Sequence, residues 1–419
     1  MKLTREIIGF LTNHRNLTAL LRGTCGAKDT VKATSLRVKP DVSVIFSWAD
    51  EQTQAQGWGR VLWSISYSKA KQVVALSAQQ LSVAKLLGLS YQIYTLPLIG
   101  FQIDGEPLLI QWGSYASDPV LAKQFADYIE NQPAESLADF KVLRYNPLRR
   151  ILISFNNQVV RLAKTTKPAE FFTLWEDFAA SSLPVVPLLT ANPTAPVSKL
   201  LRGKDGEKYL QTANTQQTEA FHRHAGKLFA QLHQIKPDFS LPAKAGLADL
   251  LQQATPKTLS QVDAHRRILG ELAARGSALE NVLETELPKL ITKIRPLVGP
   301  ERLAHGDASA DQLIVVAKFG GNEMYLNDFD RVCLAPTVLD LGSYLQIHAV
   351  TAQTETAFLN GYQEAGGSLP SGTNLQMAKL HAALQRLANP LRRAQADWEH
   401  QINTQIHRLN KEYIHGNSA

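Results

Sequence analysis

The sequence predicts an α+β protein, in which strand-rich segments fill most of the first half and helices dominate the second. Alternating apolar residues in LRVKPDVSVIFSW, residues 36–48, indicate strands with one buried face. After residue 341 the apolar spacing is instead typical of helices. Between residues 305 and 340, two apolar segments flank a glycine pair, which predicts a β-hairpin with acidic residues at its ends.

The composition narrows the class of protein. The 419 residues are 44% hydrophobic and 19% charged, which is typical of a globular protein of two or three domains. The net charge is +7, but no run of Lys and Arg with interleaved aromatic residues occurs, so nucleic acid is not an expected partner. The two cysteines lack zinc-ligand spacing and are too few for a disulfide scaffold. The first residues lack signal-peptide features, and polar residues interrupt the most apolar window, so we expect a cytoplasmic protein without membrane contact.

The segment 305–340 contains the residues best suited to chemistry. Its predicted elements are a strand at residues 313–317, a turn at Gly320-Gly321-Asn322 and a returning strand at residues 324–326. Such a hairpin would bring Asp328 and Asp330 beside Asp307. Mg²⁺ prefers oxygen ligands and takes only one or two from the protein, so this group suits a metal–phosphate site. Alternatively, each aspartate caps a turn, as Asp often does.

The spacing of these residues resembles the catalytic segment of the aminoglycoside phosphotransferase and choline-kinase-like families. The residues that carry the resemblance are His305-Gly306-Asp307, Gln312, Asp328-Phe329-Asp330 and Asp340-Leu341. The resemblance covers roughly residues 140–419. It implies a protein-kinase-like bilobal fold, with a small β-rich lobe and a large helical lobe. Most members carry Asn where this chain has Gln312, and the Gln is similar to the maltokinase branch.

On this resemblance the chain divides into three domains. These are an N-terminal α/β cap domain at residues 1–138, a kinase small lobe at 139–202 and a mainly helical large lobe at 203–419. A cap domain also occurs in maltokinase-like proteins. Part of residues 36–48 recurs at 143–155, where Leu, Arg, Pro and Ser fall in register. The cap domain is either a duplicated small lobe or shares this pattern by chance, and the sequence leaves both open.

The resemblance implies roles for the residues of the catalytic segment. Asp307 is expected to accept the proton of the substrate hydroxyl, or to orient that hydroxyl. Gln312 and Asp328 are expected to hold Mg²⁺ on the phosphates of ATP. Asp330 is expected to support this site or to bind a second metal ion.

The residues expected to contact the nucleotide are Arg149, Arg150, Arg161, Lys164, Glu170, Leu200 and Arg202. Relatives carry a lysine on the strand that here contains Arg161, and the apolar pattern places Lys164 three residues later on the opposite face. Arginine can replace that lysine, because its guanidinium fork matches phosphate oxygens. Glu170 is the expected ion-pair partner of this cation, or else a first-turn acid favoured by the helix dipole. Arg149 and Arg150 either contact phosphate or are solvated strand-edge residues.

Two further pairs of residues have implied supporting roles. His305 and Asp340 are expected to brace the catalytic loop through hydrogen bonds. Leu200 and Arg202 lie in the expected hinge between the lobes, whose backbone would face the adenine.

These expectations predict a kinase that uses Mg²⁺ and ATP, with GTP not excluded, to phosphorylate a hydroxyl of a small molecule such as a sugar or amino sugar. An aminoglycoside-modifying resistance kinase is less favoured, because the acids after Leu341 are not grouped to bind a polycation. A pseudokinase that binds nucleotide or a partner without turnover is a further alternative, motivated by Arg161. The sequence carries no signal of oligomeric state.

Overall fold

The computed structural model describes residues 2–71, 77–318, 321–347 and 351–416. Two five-stranded antiparallel sheets occupy the first half of the chain, and a mainly helical part follows them. This arrangement confirms the predicted α+β class, with a β-rich lobe next to a helical lobe. None of the described helices combines the length and apolar character needed to cross a membrane.

The N-terminal part consists of two helices followed by the first sheet and its connecting helices. Its elements are α1 (Lys2–Thr12), α2 (His14–Leu21), β1 (Val31–Lys39), β2 (Ser43–Asp50), β3 (Gln56–Leu62), α3 (Ser68–Lys71), α4 (Ala78–Leu86), β4 (Tyr94–Ile103), β5 (Glu106–Ser114) and α5 (Ala122–Glu130). The strand order is β1-β2-β3-β5-β4. Asn13 separates the first two helices, because its side chain accepts a hydrogen bond from Arg15 N at 3.0 Å and caps α2.

The second sheet forms the small lobe. Its elements are β6 (Lys141–Asn146), β7 (Arg150–Phe155), β8 (Gln158–Ala163), α6 (Ala169–Phe172), α7 (Leu174–Ala180), β9 (Leu188–Thr190) and β10 (Val197–Lys199). Asn156 and Asn157 join β7 to β8 with φ angles of 48° and 55°. Two consecutive left-handed residues match the tight hairpin turns that asparagine favours.

The two sheets have the same strand order, because the small lobe is arranged as β6-β7-β8-β10-β9. The local register also agrees at the position of the expected nucleotide cation. In the small lobe, Leu152 of β7 pairs with Arg161 of β8. In the first sheet, Ile45 of β2 pairs with Arg60 of β3.

The large lobe contains most of the helices. Its elements are β11 (Lys204–Asp205), α8 (Gly206–Leu210), α9 (Thr215–Gln234), α10 (Leu247–Gln253), α11 (Thr258–Leu272), α12 (Ala278–Thr285), α13 (Leu287–Lys293), β12 (Glu301–Ala304), β13 (Leu313–Lys318), β14 (Gly321–Leu326), β15 (Cys333–Pro336), α14 (Val338–Ile347), α15 (Ala352–Glu364), α16 (Gly372–Gln385), α17 (Asn389–Arg392) and α18 (Trp398–Asn410). Strand β13 lies between β11 and β14, and β12 pairs with β15.

The N-terminal part packs against both lobes. One buried cluster contains Ile7 of α1, Trp48 of β2 and Leu384 of α16. Another contains Phe125 of α5 and Ile153 of β7. Burying such apolar side chains is the main favourable term in folding, so the N-terminal part stabilises the placement of both lobes.

Glycines permit a close contact between α9 and α15. A Cβ atom at Gly226 would lie 2.0 Å from the backbone oxygen of Phe358, and one at Gly361 would lie 1.9 Å from that of Arg223. Any larger residue would push the two helices apart. The contact fixes α9, which carries His233 towards the catalytic segment.

Candidate active site

The catalytic segment folds into the predicted hairpin. Strands β13 and β14 are antiparallel, and their paired residues run from Leu313 with Leu326 to Lys318 with Gly321. Of the predicted turn, Gly320 lies outside the described residues. The other two turn residues, Gly321 and Asn322, open β14 instead.

The open end of this hairpin brings the predicted metal ligands together. Gln312 directly precedes β13, and Asp328 lies two residues after β14. The backbone N–H of Asn327 donates to the carbonyl oxygen of Gln312 at 2.9 Å, which fastens the two ends of the hairpin. Asp328 has a φ of 56°, a left-handed conformation that is uncommon outside glycine and clusters at functional sites.

The loop before the hairpin presents Asp307. Gly306 has a φ of 77°, and a Cβ atom there would lie 2.1 Å from the backbone oxygen of Arg331. Glycine is therefore required at this position for both conformation and space. The Oδ1 atom of Asp307 lies 3.4 Å from Nη1 of Arg331 and 3.4 Å from Nη2 of Arg386.

Asp340 is fully buried and holds the loop that presents Asp307 through hydrogen bonds. Its Oδ2 accepts from the backbone N–H of His305 at 2.6 Å and lies 3.0 Å from Nε2 of His233, while Oδ1 accepts from Gly306 N at 2.9 Å. Burial acts to raise the pKa of Asp340, but the hydrogen bond and charge of His233 and the donation from His305 outweigh it and lower the pKa. The His305 ring is 2.8 Å from the carbonyl oxygen of Asn327 through Nε2. These are the bonds that a bracing role requires.

Cations of the small lobe converge on Asp330. Its Oδ2 accepts from Arg150 and, at 3.1 Å, from Nη2 of Arg161. Its backbone oxygen accepts from Nζ of Lys167 at 2.8 Å. Burial lowers the pKa of Lys167, although the charge of Asp330 opposes this shift. Asp330 thereby connects the catalytic hairpin to the small lobe, and its role towards a second metal ion stays a prediction.

Lys164, Arg149 and Glu170 are also among the residues predicted to contact the nucleotide. Lys164 and Arg149 are exposed. The ion pair predicted between Arg161 and Glu170 is not found in the part of the chain that the structure describes. Arg161 bonds to Asp330 instead, because the lobes meet at β8 and bring that carboxylate to it. Glu170 lies in the first turn of α6.

The expected hinge is tied to the β7–β8 turn. The backbone N–H of Leu200 donates to the carbonyl oxygen of Asn157 at 2.8 Å. The exposed Arg202 donates from Nη2 to Oδ1 of the same residue at 2.9 Å. The hinge residues are therefore attached to the small-lobe sheet.

The oxygen donors at the open end of the hairpin suit Mg²⁺. The described residues contain no group of three or more His, Cys, Asp or Glu that could enclose a metal ion. Gln312 and Asp328 instead supply one amide and one carboxylate side chain. That pair fits an ion that keeps few protein ligands and completes its coordination with phosphate oxygens and water. Arg144 lies near this site, with Nη1 3.7 Å from Oδ2 of Asp328.

Sequence reasoning missed four cations that the fold brings to this site: Arg144, Lys167, Arg331 and Arg386. Arg331 directly follows Asp330, so its place in the chain was a usable signal. Lys167 precedes Pro168 at the start of α6, where a side chain can turn back towards β8. Arg386 carries no such signal, because it follows α16 and is 79 residues from Asp307.

A small β-rich lobe, a large helical lobe and the loop that carries Asp307 together define the class of small-molecule kinases. Residues 157–380 match the phosphotransferase enzyme family, APH, over more than half of the chain. The chain belongs to this family, and it is a phosphotransferase that acts on hydroxyl groups. Its fold is the kinase-like fold that the sequence resemblance implied. The maltokinase-like branch stays a prediction.

Several solved structures are similar to this chain at low identity. A choline/ethanolamine kinase family protein from Mesorhizobium loti is 15% identical, covers 70% of this chain and 95% of its own, and has a TM-score of 0.48. Plasmodium vivax ethanolamine kinase is 14% identical, with 70% and 86% covered and a TM-score of 0.46. The APH(2")-IIa protein in its gentamicin complex is 14% identical, with 68% and 95% covered and a TM-score of 0.48. No curated protein matches the sequence.

Proposed function

We propose that the protein transfers the γ-phosphoryl group of ATP to a hydroxyl of a sugar-like small molecule. The observation that carries this proposal is the open end of the β13–β14 hairpin. There Gln312 and Asp328 lie at one edge, Asp307 precedes them on the adjoining loop, and Asp330 holds two arginines of the small lobe. Several solved structures with similar folds contain ADP or ATP, which supports a nucleotide as the donor.

Each residue has a separate task in the proposed transfer. Asp307 accepts the proton of the acceptor hydroxyl as its oxygen attacks phosphorus, or orients that hydroxyl for the attack. Arg150 and Arg161 bind phosphate oxygens, which their planar guanidinium groups match. Gln312 and Asp328 would hold Mg²⁺, which when bound neutralises charge on the phosphates.

The role of Arg161 gives the first test. Arg161→Ala should weaken ATP binding by about 10-fold or more, because a hydrogen bond to a charged group contributes about 1.5–3 kcal/mol. Lys164→Ala is the matched control, because Lys164 directly follows the strand that contains Arg161 and is exposed. Calorimetric titration of both variants with Mg·ATP measures the effect. A larger loss of ATP affinity in the Lys164 variant would show that Lys164, and not Arg161, is the cation that binds the nucleotide.

Metal dependence tests the proposal as a whole. Mg²⁺ together with ATP should stabilise the protein much more than either does alone, because Gln312 and Asp328 provide too few ligands without phosphate. Ligand at about 100 times its dissociation constant would add about 2.7 kcal/mol to the free energy of unfolding. Thermal melts with ATP, Mg²⁺ and both should show this, and Asp328→Ala should remove the synergy.

The same melts separate a kinase from a nucleotide-binding protein without turnover. An ATP-induced shift that ignores both Mg²⁺ and Asp328 would favour the second class. A protein whose melting temperature responds to none of these ligands would contradict the proposed function.

A further inference from the structure

Arginines from separate parts of the chain gather near Asp307. We call Arg149, Arg331, Arg386 and Arg392 the arginine cluster. Arg149 lies in the turn between β6 and β7, and Arg331 follows the Asp328–Asp330 segment. Arg386 directly follows α16, and Arg392 is the last residue of α17. Segments so distant in sequence place like charges together only through the tertiary fold, at a cost in repulsion.

Arg386 is the member of this cluster that is incompletely bonded. Its Nη2 donates to Oγ of Ser343 at 2.8 Å and lies 3.4 Å from Oδ1 of Asp307. Its Nη1 is buried and has no hydrogen-bond partner among the described residues. An unpartnered buried donor costs free energy, so the charge of Arg386 is only partly compensated within the protein.

Positive charge exceeds negative charge around this cluster. Arg331 and Arg386 share the single Oδ1 atom of Asp307. Across the described ranges, Arg149 and Arg392 form no ion pair. Burial lowers the pKa of Arg392, and the charges of Arg331 and Arg149 lower it further, which shows that the three are within electrostatic reach.

The nearby carboxylates do not balance the positive charges of the arginine cluster. Asp311 acts on Arg386, but its Oδ1 also accepts a hydrogen bond from Oγ of Ser309. Burial is the largest effect on the pKa of Arg386 and lowers it, even though Asp307 and Asp311 oppose the shift. The site therefore has capacity for a further negative charge.

The nucleotide does not account for this excess. Arg150, Arg161 and Lys167 already surround Asp330 on the small-lobe side, where the phosphates of ATP are expected. Arg392 instead belongs to α17, one of the C-terminal helices. An acceptor whose hydroxyl reaches Asp307 would extend the rest of its structure towards those helices.

We propose that the acceptor is an anion, a hydroxyl compound that carries a phosphate ester or a carboxylate bound by the arginine cluster. This inference rests on the proposed function and narrows its substrate class. Arginine forks bind both anionic groups in bidentate fashion, so the cluster fits either one. Amino sugars, aminoglycosides and choline carry positive charge and would be repelled from the same place.

The test compares glucose with derivatives of it that carry different charges. With the nucleotide site filled by Mg²⁺ and a β,γ-imido analogue of ATP, glucose 6-phosphate, gluconate, glucose and glucosamine are titrated by calorimetry, together with inorganic phosphate. We expect the anionic compounds to bind and the neutral and cationic hexoses to bind at least 10-fold more weakly. A difference between glucose 6-phosphate and gluconate identifies which anionic group the cluster takes.

Two neighbouring arginines give a matched pair of variants. Arg392→Gln should weaken binding of the anions by about 10-fold, as expected for one charge-assisted hydrogen bond. Arg393→Gln removes the same charge at the next residue, which is exposed like Arg392 but lies outside the arginine cluster, and should leave anion binding unchanged. Circular dichroism melts of both variants check that the fold is retained.

The outcomes distinguish this inference from the proposed function. Absence of anion binding, preference for glucose or glucosamine, or equal losses in the two variants would overturn the anionic acceptor. Binding of the nucleotide analogue in the same titrations reports on the proposed function separately. A protein that binds the analogue with Mg²⁺ but rejects every anion is a kinase for another acceptor class.

Discussion

Asp307→Asn is expected to lower kcat by about 10²- to 10⁴-fold, the usual contribution of a general base. The amide has nearly the same shape and keeps an oxygen to accept from Arg331 or Arg386, so the loop should retain its conformation. It cannot take a proton from the acceptor hydroxyl. The affinity for Mg·ATP should change little, because the nucleotide cations lie around Asp330.

The measurement needs an acceptor, found by screening sugars, polyols and their acidic derivatives with Mg·ATP. Turnover and nucleotide affinity are then compared for the wild type and the variant. Asp311→Asn is the control, since this acid lies on the same loop and bonds to Ser309. Unchanged turnover in the Asp307 variant, or an equal loss in the control, would show that another group receives the proton.

The hairpin of the catalytic segment was predictable because its determinants are local. A short continuous run of apolar residues predicted a strand at residues 313–317, and the structure has Leu313–Lys318. The returning strand was placed at residues 324–326 and begins earlier, at Gly321. The difference arises because glycine and asparagine can extend a ladder as well as form a turn. Side chains that follow the strands directly, such as Asp328, could therefore be placed near one another.

The cations around the site could not be predicted in the same way. Arg386 reaches Asp307 only because α16 packs beside α14, and no local pattern reports that packing. The choice of Asp330 over Glu170 as partner of Arg161 likewise depends on how the lobes meet. Sequence spacing identified which residues suit the chemistry, while tertiary packing decided which charges face one another.

The origin of the N-terminal part could be predicted from the sequence only in part. The turn between β1 and β2 contains Asp41 at a φ of 52°, and the β6–β7 turn contains Leu148 at 59°. Each residue directly follows a proline, in the repeated pattern found in the sequence. Positive φ is uncommon outside glycine, so its recurrence at one place supports duplication over chance, which stays a hypothesis. Arg60, in the place of Arg161, donates to Gln111 Oε1 at 2.9 Å and so has a structural partner.

Asp340→Asn should destabilise the protein by about 3 kcal/mol, because three donors converge on its carboxylate and an amide must turn its own N–H₂ towards one of them. The donors belong to His305, Gly306 and His233. The loop that presents Asp307 would lose its support, so kcat should fall as well. Urea unfolding at neutral pH measures the first effect.

The pH dependence of stability distinguishes loss of the ionised Asp340 carboxylate from a packing defect, because a packing defect would not depend on pH in this way. The pKa of Asp340 is lowered in the folded state, so its ionised form contributes stability above the unfolded pKa of about 3.9, and this contribution is lost as the pH falls through the folded value. The difference in stability between wild type and Asp340→Asn should therefore shrink below about pH 4. Asp118 is the contrasting control, since it is also fully buried but burial raises its pKa despite its hydrogen bonds. For Asp118→Asn the difference should instead grow as the pH falls through the raised folded pKa towards about 4 and level off below it, and parallel behaviour of the two variants would contradict the assigned role of Asp340.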